Sequence, residues 1–385
     1  MLLRIALALV AMLTVVAASG RCAGFTYEVG LAETHADNVL KDSTGSSDTY
    51  SIAQATIRSH PLPVLELNFT DRYTYFSRHP GLSNFLHSGG ATFIPTPERW
   101  PFSAYLSASF DIVQYRQQSE PYDNRSFRFL ASLGYELDPA VRLKAGSKIT
   151  LTSYVNDTPT VADHDQYEAF AGLNVTVLGA YSLDVELGLG RTNLWFLDTS
   201  LQAIPPPPYP PNSPADSQSA GHFQSFYISP RVSRSLGGRT GVSITYKYRR
   251  FTGTDPVVVF GYTTGYLSPW FGVYDGSSVT VNVKSYLVPH TLLGVGVGYW
   301  QKEYLKTLEM KRAPFGGLIY QLPREASRRR DYLAQLYVNV QRPITVGEDG
   351  VLEPTITIEY AHNNSSIPTF DYSAATVSVG VVFRR

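Results

Sequence analysis

The sequence is poor in the residues that stabilise many small secreted proteins or bind metal ions. Cysteine occurs once, as Cys22, and methionine occurs three times in 385 residues. A single cysteine excludes a disulfide framework and a cysteine-based metal site. Charged residues make up only 17% of the chain and their formal charges cancel, which argues against a dominant nucleic-acid-binding surface and against an acidic substrate.

Long hydrophobic runs are also absent, apart from one near the N-terminus. The run from Ile5 to Ala18 has fourteen residues, too few to cross a bilayer as a helix. Arg4 precedes this run and small residues follow it, from Ala17 to Gly20, which is typical of a secretory signal peptide. We therefore predict a signal peptide at residues 1–23, with cleavage between residues 18 and 23, and a single domain at residues 24–385.

Aromatic residues, by contrast, are abundant, with 26 tyrosines and 19 phenylalanines. After the N-terminal run, apolar and polar residues alternate with a period of two along the chain, and no long segment has a helical period. In Val242–Arg249 one face carries valine, isoleucine and tyrosine, while the other carries serine, threonine, lysine and arginine. This alternation predicts β-strands with one apolar and one polar face.

Two architectures produce such strands. In a soluble β-sandwich the apolar face points into the core, whereas in a transmembrane barrel it faces lipid and the polar face lines the lumen. The strands predicted at Arg142–Tyr154 and Ser225–Leu236 are long for a soluble sheet. We predict an all-β fold, a single antiparallel transmembrane β-barrel of about sixteen strands with short periplasmic turns and long outer loops. The alternative is about fourteen strands, if Gly89–Thr96 is not a strand.

The connections favour the barrel because short ones alternate with long ones along the chain. The proline-rich connection Thr199–Gly221 is interpreted as a rigid polyproline loop, with a proline-rich ligand for a partner as the alternative. The predicted long connections are His35–Asp48, Ser77–Ser88, Ser119–Arg125, Asn156–Asp165, Thr199–Gly221, Gly253–Gly276, Tyr304–Arg328 and Asn363–Thr369.

Three features carry a resemblance to a known family. They are the signal peptide, the alternation of short and long connections, and the alternating last segment, Tyr372–Arg385. The whole mature chain resembles a Gram-negative outer-membrane β-barrel of porin-like size. The segment Tyr360–Arg385 is similar to the closing hairpin of barrels from polysaccharide-secretion and surface-assembly systems. The resemblance implies an outer-membrane location, contact with membrane lipid and lipopolysaccharide, and a periplasmic or export-system partner. The chain departs from the pattern where Arg384 and Arg385 follow Phe383, since such barrels usually finish on the aromatic residue.

The polar faces of the predicted strands define the residues expected to line the lumen. Positive and negative side chains are equal in number among them, so the sequence predicts neither cation nor anion selectivity. They can form a pore with opposed charged walls, or they can simply pair across neighbouring strands. The predicted lumen-lining residues are Arg128, Arg142, Lys144, Lys148, Arg231, Lys247, Arg249, Lys284, Glu66, Asp111, Glu136, Glu168, Asp184, Glu186, Glu353 and Glu359.

Three short motifs could indicate other chemistry. His362 with Ser365 and Ser366 is the nearest approach to a hydrolase site, and ordinary turn chemistry is the alternative. Asp163–Asp165 could contact a divalent cation or form a solvated loop. Gly294–Gly298 does not precede a helix, so its glycines are expected to leave room in the lumen rather than to bind a phosphate. We predict no catalytic residue, no metal site and no cofactor.

Two long connections are expected to act on the lumen or on partners. Gly253–Gly276 and Tyr304–Arg328 are apolar enough to fold inward as a plug, and the basic run at Arg324 and Arg328–Arg330 suits lipopolysaccharide phosphates. The leading hypothesis is a passive channel for solutes or an exported polymer. The alternatives are a filled barrel that serves as a scaffold for a secretion, assembly or electron-transfer partner and an outer-membrane lipid hydrolase.

Overall fold

A computed structural model of the chain describes residues 25–41, 43–95, 101–116, 122–155, 163–177, 181–197, 218–253, 258–260, 274–304, 307–312, 318–321 and 329–385. The predicted signal peptide and the proline-rich part of Thr199–Gly221 lie outside these residues. Among the residues described, no helix is long and apolar enough to span a membrane.

The long strands follow one another along the chain, as the alternating pattern predicted. They are β1 Phe25–Ala36, β2 Asp48–Leu62, β3 Leu65–Phe76, β4 Asn84–Phe93, β5 Phe102–Tyr115, β6 Asn124–Asp138, β7 Val141–Tyr154, β8 Asp163–Val177, β9 Tyr181–Leu197, β10 Gln218–Leu236, β11 Thr240–Gly253, β12 Tyr274–Val288, β13 Thr291–Tyr304, β14 Arg330–Gln341, β15 Gly350–Ser365 and β16 Tyr372–Arg384.

Each strand pairs antiparallel with the next, and the last pairs with the first. The sheet contains seventeen strands, of which Ile344–Val346 only extends the β14–β15 hairpin, so sixteen form the closed barrel. The register of the closing seam runs from Glu28 opposite Arg384 to Ala36 opposite Thr376. The sixteen-strand prediction is confirmed, since the segment predicted at Gly89–Thr96 is β4, and the fourteen-strand alternative is wrong.

The two ends of the barrel differ in the length of their connections. At the end that holds both chain termini, several turns are tight, and the β10–β11 turn uses Gly237 and Gly238, both at positive φ. Adjacent positive φ values suit a short hairpin whose twist matches its strands. The opposite end holds the longer connections. Its first two loops are fixed by Asp48, which accepts backbone N–H bonds from Ser77, Arg78 and His79.

The outward surface of the barrel is apolar and unburied. Leu189 is 65% exposed, Leu133 63% and Val379 57%, and exposed aromatic residues lie toward strand ends, among them Phe102 and Tyr135. An apolar surface of this size does not occur on a water-soluble monomer, whereas a closed barrel with an apolar outer band is one of two forms that can cross a bilayer. The chain therefore has the architecture of a transmembrane β-barrel.

Polar groups interrupt this outward surface at several places, among them Arg234 and Arg250. Glu33 is exposed on the outward face of β1, where its register partner on β16 is Val379. On the outward faces of β3 and β4, His87 Nδ1 lies 2.6 Å from Asp71 Oδ1. The scarcity of charge expected on this face therefore has exceptions.

Candidate functional site

The inner wall of the barrel carries the charged residues. Paired residues of neighbouring strands share a face of the sheet, so the strand register assigns each side chain to the lumen or to the lipid side. The register places all sixteen of the predicted lumen-lining residues on the inward face. They are Arg128, Arg142, Lys144 and Lys148, Arg231, Lys247, Arg249 and Lys284, with Glu66, Asp111, Glu136 and Glu168, Asp184, Glu186, Glu353 and Glu359.

The inward face also holds charged residues that the sequence pattern did not reveal. They lie where small residues or polar neighbours on both faces obscure the alternation, as at Glu28 beside Gly30 and at Lys302 between Gln301 and Glu303. A strict parity count from each strand would have found them. The additional inward residues are Glu28, Arg58, Arg72, Lys302, Asp331 and Arg384.

In the wall formed by β6–β9, opposite charges are brought together. Lys144 Nζ lies 2.8 Å from Glu186 Oε2 and 3.3 Å from Asp184 Oδ1, and all three side chains are about a third exposed or less. Asn174 also donates to Asp184, at 3.4 Å. One ammonium group therefore compensates two carboxylates on the neighbouring part of the wall.

Another pair of opposite charges lies where β5 meets this wall. Arg128 of β6 lies 2.5 Å from Asp111 of β5, whose other oxygen accepts a hydrogen bond of 2.6 Å from Ser88. Arg142 donates to Ser103 across two strands. Near the short-turn end, these strands enclose a cavity of about 760 Å³ lined by Ser103, Arg142 and Asn174 among others.

Tyr227 of β10 marks the edge of this paired wall. Its hydroxyl lies 2.8 Å from Glu186 Oε1 and 3.1 Å from Glu168 Oε1, so a single proton serves two carboxylates. The ring is buried and covers Gly188, where a Cβ atom would come within 2.1 Å of the ring. Glycine at this position is thus required for the tyrosine to lie flat against the wall.

The wall formed by β10–β13 has charges of one sign. Its inward residues are mostly hydroxyl-bearing, aromatic, glycine or cationic, with the amide of Asn282 among them, and none of those described is acidic. Within the described part of the chain, Arg231, Lys247 and Lys284 form no ion pair. The cationic residues of this wall are Arg231, Lys247, Arg249, Lys284 and Lys302.

Aromatic rings support three of these cations. Lys247 Nζ lies 4.5 Å from the centre of the Tyr227 ring, on the side of the wall where that tyrosine meets Glu168 and Glu186. Arg249 and Lys302 both approach the Tyr274 ring, at 5.5 Å and 4.9 Å. A ring face attracts a cation, so these side chains are held in place on the wall.

At the short-turn end, the closing seam is clasped by ion pairs. Arg384 of β16 lies 3.1 Å from Glu28 Oε2 on β1 and 3.2 Å from Glu353 Oε1 on β15. Arg58 of β2 lies 3.8 Å from the same Glu28 oxygen. The arginine that follows the last aromatic residue thus faces the lumen and joins three strands.

The glycines of β13 share the inward face, as predicted, but they do not leave equal space. The ring of Trp300 covers Gly298, so that a Cβ atom there would lie 2.1 Å from the indole. A Cβ atom at Gly294 would meet only Asn339, at 3.9 Å. The lumen is therefore open at Gly294 and lined by an aromatic ring nearer the long-loop end.

The structure separates the residues of the suggested hydrolase site. His362 lies on the outward face of β15, where Nδ1 is 2.9 Å from Ser373 Oγ. Ser365 lies on the inward face and donates to Asp331, while the Ser366 hydroxyl accepts from the Arg330 N–H. His362, Ser365 and Ser366 therefore do not form one site.

The suggested cation site is also dispersed. Asp163, His164 and Asp165 begin β8 rather than ending a loop, so His164 points to the opposite face from the two aspartates. The Asp163 carboxylate instead accepts from the Tyr154 N–H at 2.7 Å and from the Ser153 hydroxyl at 3.1 Å. No group of three or more metal-binding side chains is found in the described ranges.

The two segments expected to plug the lumen are joined to each other. Val258–Phe260 pairs with Thr307–Glu309, and Glu309–Arg312 pairs with Leu318–Gln321, which gives a separate three-stranded sheet.

Within the predicted phosphate-binding run, Arg324 and Arg328 lie outside the described residues, and Arg329 is buried. The Arg329 guanidinium lies 3.8 Å from the Tyr304 ring and 3.9 Å from the Phe370 ring, and it is ion-paired with Asp331 at 2.8 Å. Arg329 is therefore not available to lipopolysaccharide.

Comparison with known proteins gives only distant structural likeness. No family model matches the chain, and no curated protein does. A bacterial polysaccharide outer membrane secretin is 10% identical with a TM-score of 0.48, over 93% of this chain and 98% of the other. Outer membrane protein OpdK from Pseudomonas aeruginosa is 10% identical with a TM-score of 0.48, over 94% of this chain and 98% of the other. OccAB3 from Acinetobacter baumannii is 10% identical with a TM-score of 0.48, over 94% of this chain and 100% of the other. At these low values, the barrel assignment rests on this chain's own register and outward surface.

Proposed function

We propose that the protein is an outer-membrane pore through which polar solutes diffuse passively. The observation that carries this proposal is a closed barrel of sixteen strands whose inner wall is polar and partly glycine-lined. Barrels of about eight strands are filled by their side chains, whereas barrels of about sixteen leave an aqueous channel. No covalent step is needed for this function, since the hydrated wall replaces part of the solute's water contacts.

Conductance of the purified protein in a planar bilayer tests the proposal. Discrete, stable conductance steps are expected from folded protein. Absence of any conductance, from protein whose gel mobility shifts on heating as a folded barrel's does, would reject the open pore.

Gly294 provides a matched pair of variants for the same measurement. Gly294→Trp adds a ring on the open part of the inward face, and we expect the single-channel conductance to fall by about 10–30%. Val295→Trp adds the same ring to the lipid side of the same strand and should leave the conductance unchanged. Equal effects of both variants would mean that the current does not pass along this wall.

A second candidate is a scaffold whose lumen or outer end holds an export-system or other partner. The three-stranded sheet favours it, because it joins two outer connections through backbone pairing rather than leaving them separate. For such a scaffold, the purified barrel should show no conductance in a planar bilayer. A partner should instead co-purify with the barrel from the native envelope.

A further inference from the structure

We propose that the pore prefers anionic solutes, those that carry carboxylate or phosphate groups, and that the cationic wall of β10–β13 is the path they follow. This inference rests on the proposed pore function. It starts from the arrangement of charge: four consecutive strands contribute five inward cations and, among the residues described, no inward acid.

The cations are spaced along the whole crossing rather than gathered at one mouth. In the register of β11, Arg249 lies toward the long-loop end, and Lys247 follows one inward position below it. Arg231 is opposite Thr245, and Lys284 is opposite Gly241 beside the tight β10–β11 turn. Along the strand direction, Arg249, Lys247 and Arg231 therefore follow one another at steps of two residues, roughly 7 Å, and Lys284 follows after four residues, roughly 13 Å.

The side chains between the cations are suited to the same ligands. Ser243, Thr245 and Ser278 share the inward face with Lys247. Their hydroxyl groups can donate hydrogen bonds to carboxylate or phosphate oxygens. A wall of cations and hydroxyls thus offers both charge and directional contacts to an anion, while its glycines keep the path wide.

Charges elsewhere in the lumen are largely cancelled, which leaves this wall as the dominant field. Lys144 is shared by Asp184 and Glu186, and Arg384 is shared by Glu28 and Glu353. Among the described residues, inward acids without an ion pair remain at Glu136 on β6, Glu168 on β8 and Glu359 on β15, outside the cationic wall. The resulting transverse field draws anions toward β10–β13.

Reversal potentials of the wild-type pore across a tenfold KCl gradient test the inference. We expect chloride to be favoured over potassium at low salt. The preference should weaken toward 1 M salt, because the screening length falls from about 10 Å to about 3 Å. Replacing chloride by acetate or by inorganic phosphate tests the two anion classes separately.

Two double variants, each of which removes two cations, test whether the anion preference arises at this wall. Lys247→Gln combined with Lys284→Gln should lower the chloride-to-potassium permeability ratio at least about twofold. The control, Arg234→Gln combined with Arg250→Gln, removes two cations from the outward face of β10 and β11 and should leave the ratio unchanged.

The outcomes separate this inference from the proposed function. A silent wild-type protein would reject the pore itself. A conducting wild-type pore that favours potassium, or a ratio that stays the same in the inward double variant, would leave the pore standing and overturn the anion path.

Discussion

The walls formed by β6–β9 and by β10–β13 are neighbours in one sheet, yet they treat charge in opposite ways. In the first, Lys144 lies between two carboxylates. In the second, Lys247 lies on the ring of Tyr227. Both lysines are held in place, but only the first is ion-paired. The difference teaches that a lumen with balanced composition can still be divided into a neutral region and a charged region.

The largest effect on the free energy of unfolding is expected when the lysine of the β6–β9 wall is removed. Lys144→Met leaves Asp184 and Glu186 close together without their shared cation, and we expect a loss of about 1–2 kcal/mol in the free energy of unfolding. Urea titration in phosphatidylcholine vesicles, followed by the gel-mobility shift, measures it.

Lys247→Met is the matched control, since it removes a cation that has no ion pair. It should cost about 0.5–1 kcal/mol, the contribution of a cation–π contact that is only partly desolvated. If both variants lose equal stability, the two walls do not differ in the way described.

A smaller effect is expected at the boundary between the walls. Tyr227→Phe keeps the ring under Lys247 and removes the hydroxyl that Glu168 and Glu186 share, so we expect a loss of about 1 kcal/mol with urea as the denaturant. The permeability ratio should move toward cations, because the two carboxylates lose their donor. An unchanged ratio together with unchanged stability would show that the hydroxyl does not restrain these acids.

The smallest effect is expected at the closing seam, where pairing joins the two ends of the chain. Arg384→Met removes the contacts with Glu28 and Glu353 and should lower the free energy of unfolding by about 0.5–1 kcal/mol, since the arginine is half exposed.

Arg385→Met is a suitable control for the seam. Its guanidinium only approaches the exposed Asp349, at 4.0 Å, and its removal should be neutral in the same urea titration. A larger loss from Arg385→Met than from Arg384→Met would contradict the assignment of the seam contacts.

Strand boundaries explain why the two candidate motifs do not form sites. The sequence pattern ended a strand before Asn363 and began another after Asp165, whereas β15 runs to Ser365 and β8 starts at Asp163. Polar residues near the outer rim of a barrel look like loop residues, because the strands extend beyond the apolar band. Once Ser365 belongs to a strand, its distance of three residues from His362 places the two side chains on opposite faces.

The sequence by itself determined the fold class and the face on which residues such as Lys144 and Lys247 lie, and it narrowed the strand number to about sixteen or about fourteen. These properties follow from a period of two and from the length of connections, both of which are local. Only the tertiary structure decided which partners these residues have. The contacts of Lys144 with Asp184 and of Arg384 with Glu28 depend on the register of strands that are not neighbours in sequence, and on closure of the sheet. For this reason, the division of the lumen into a neutral and a cationic wall could not be predicted from composition.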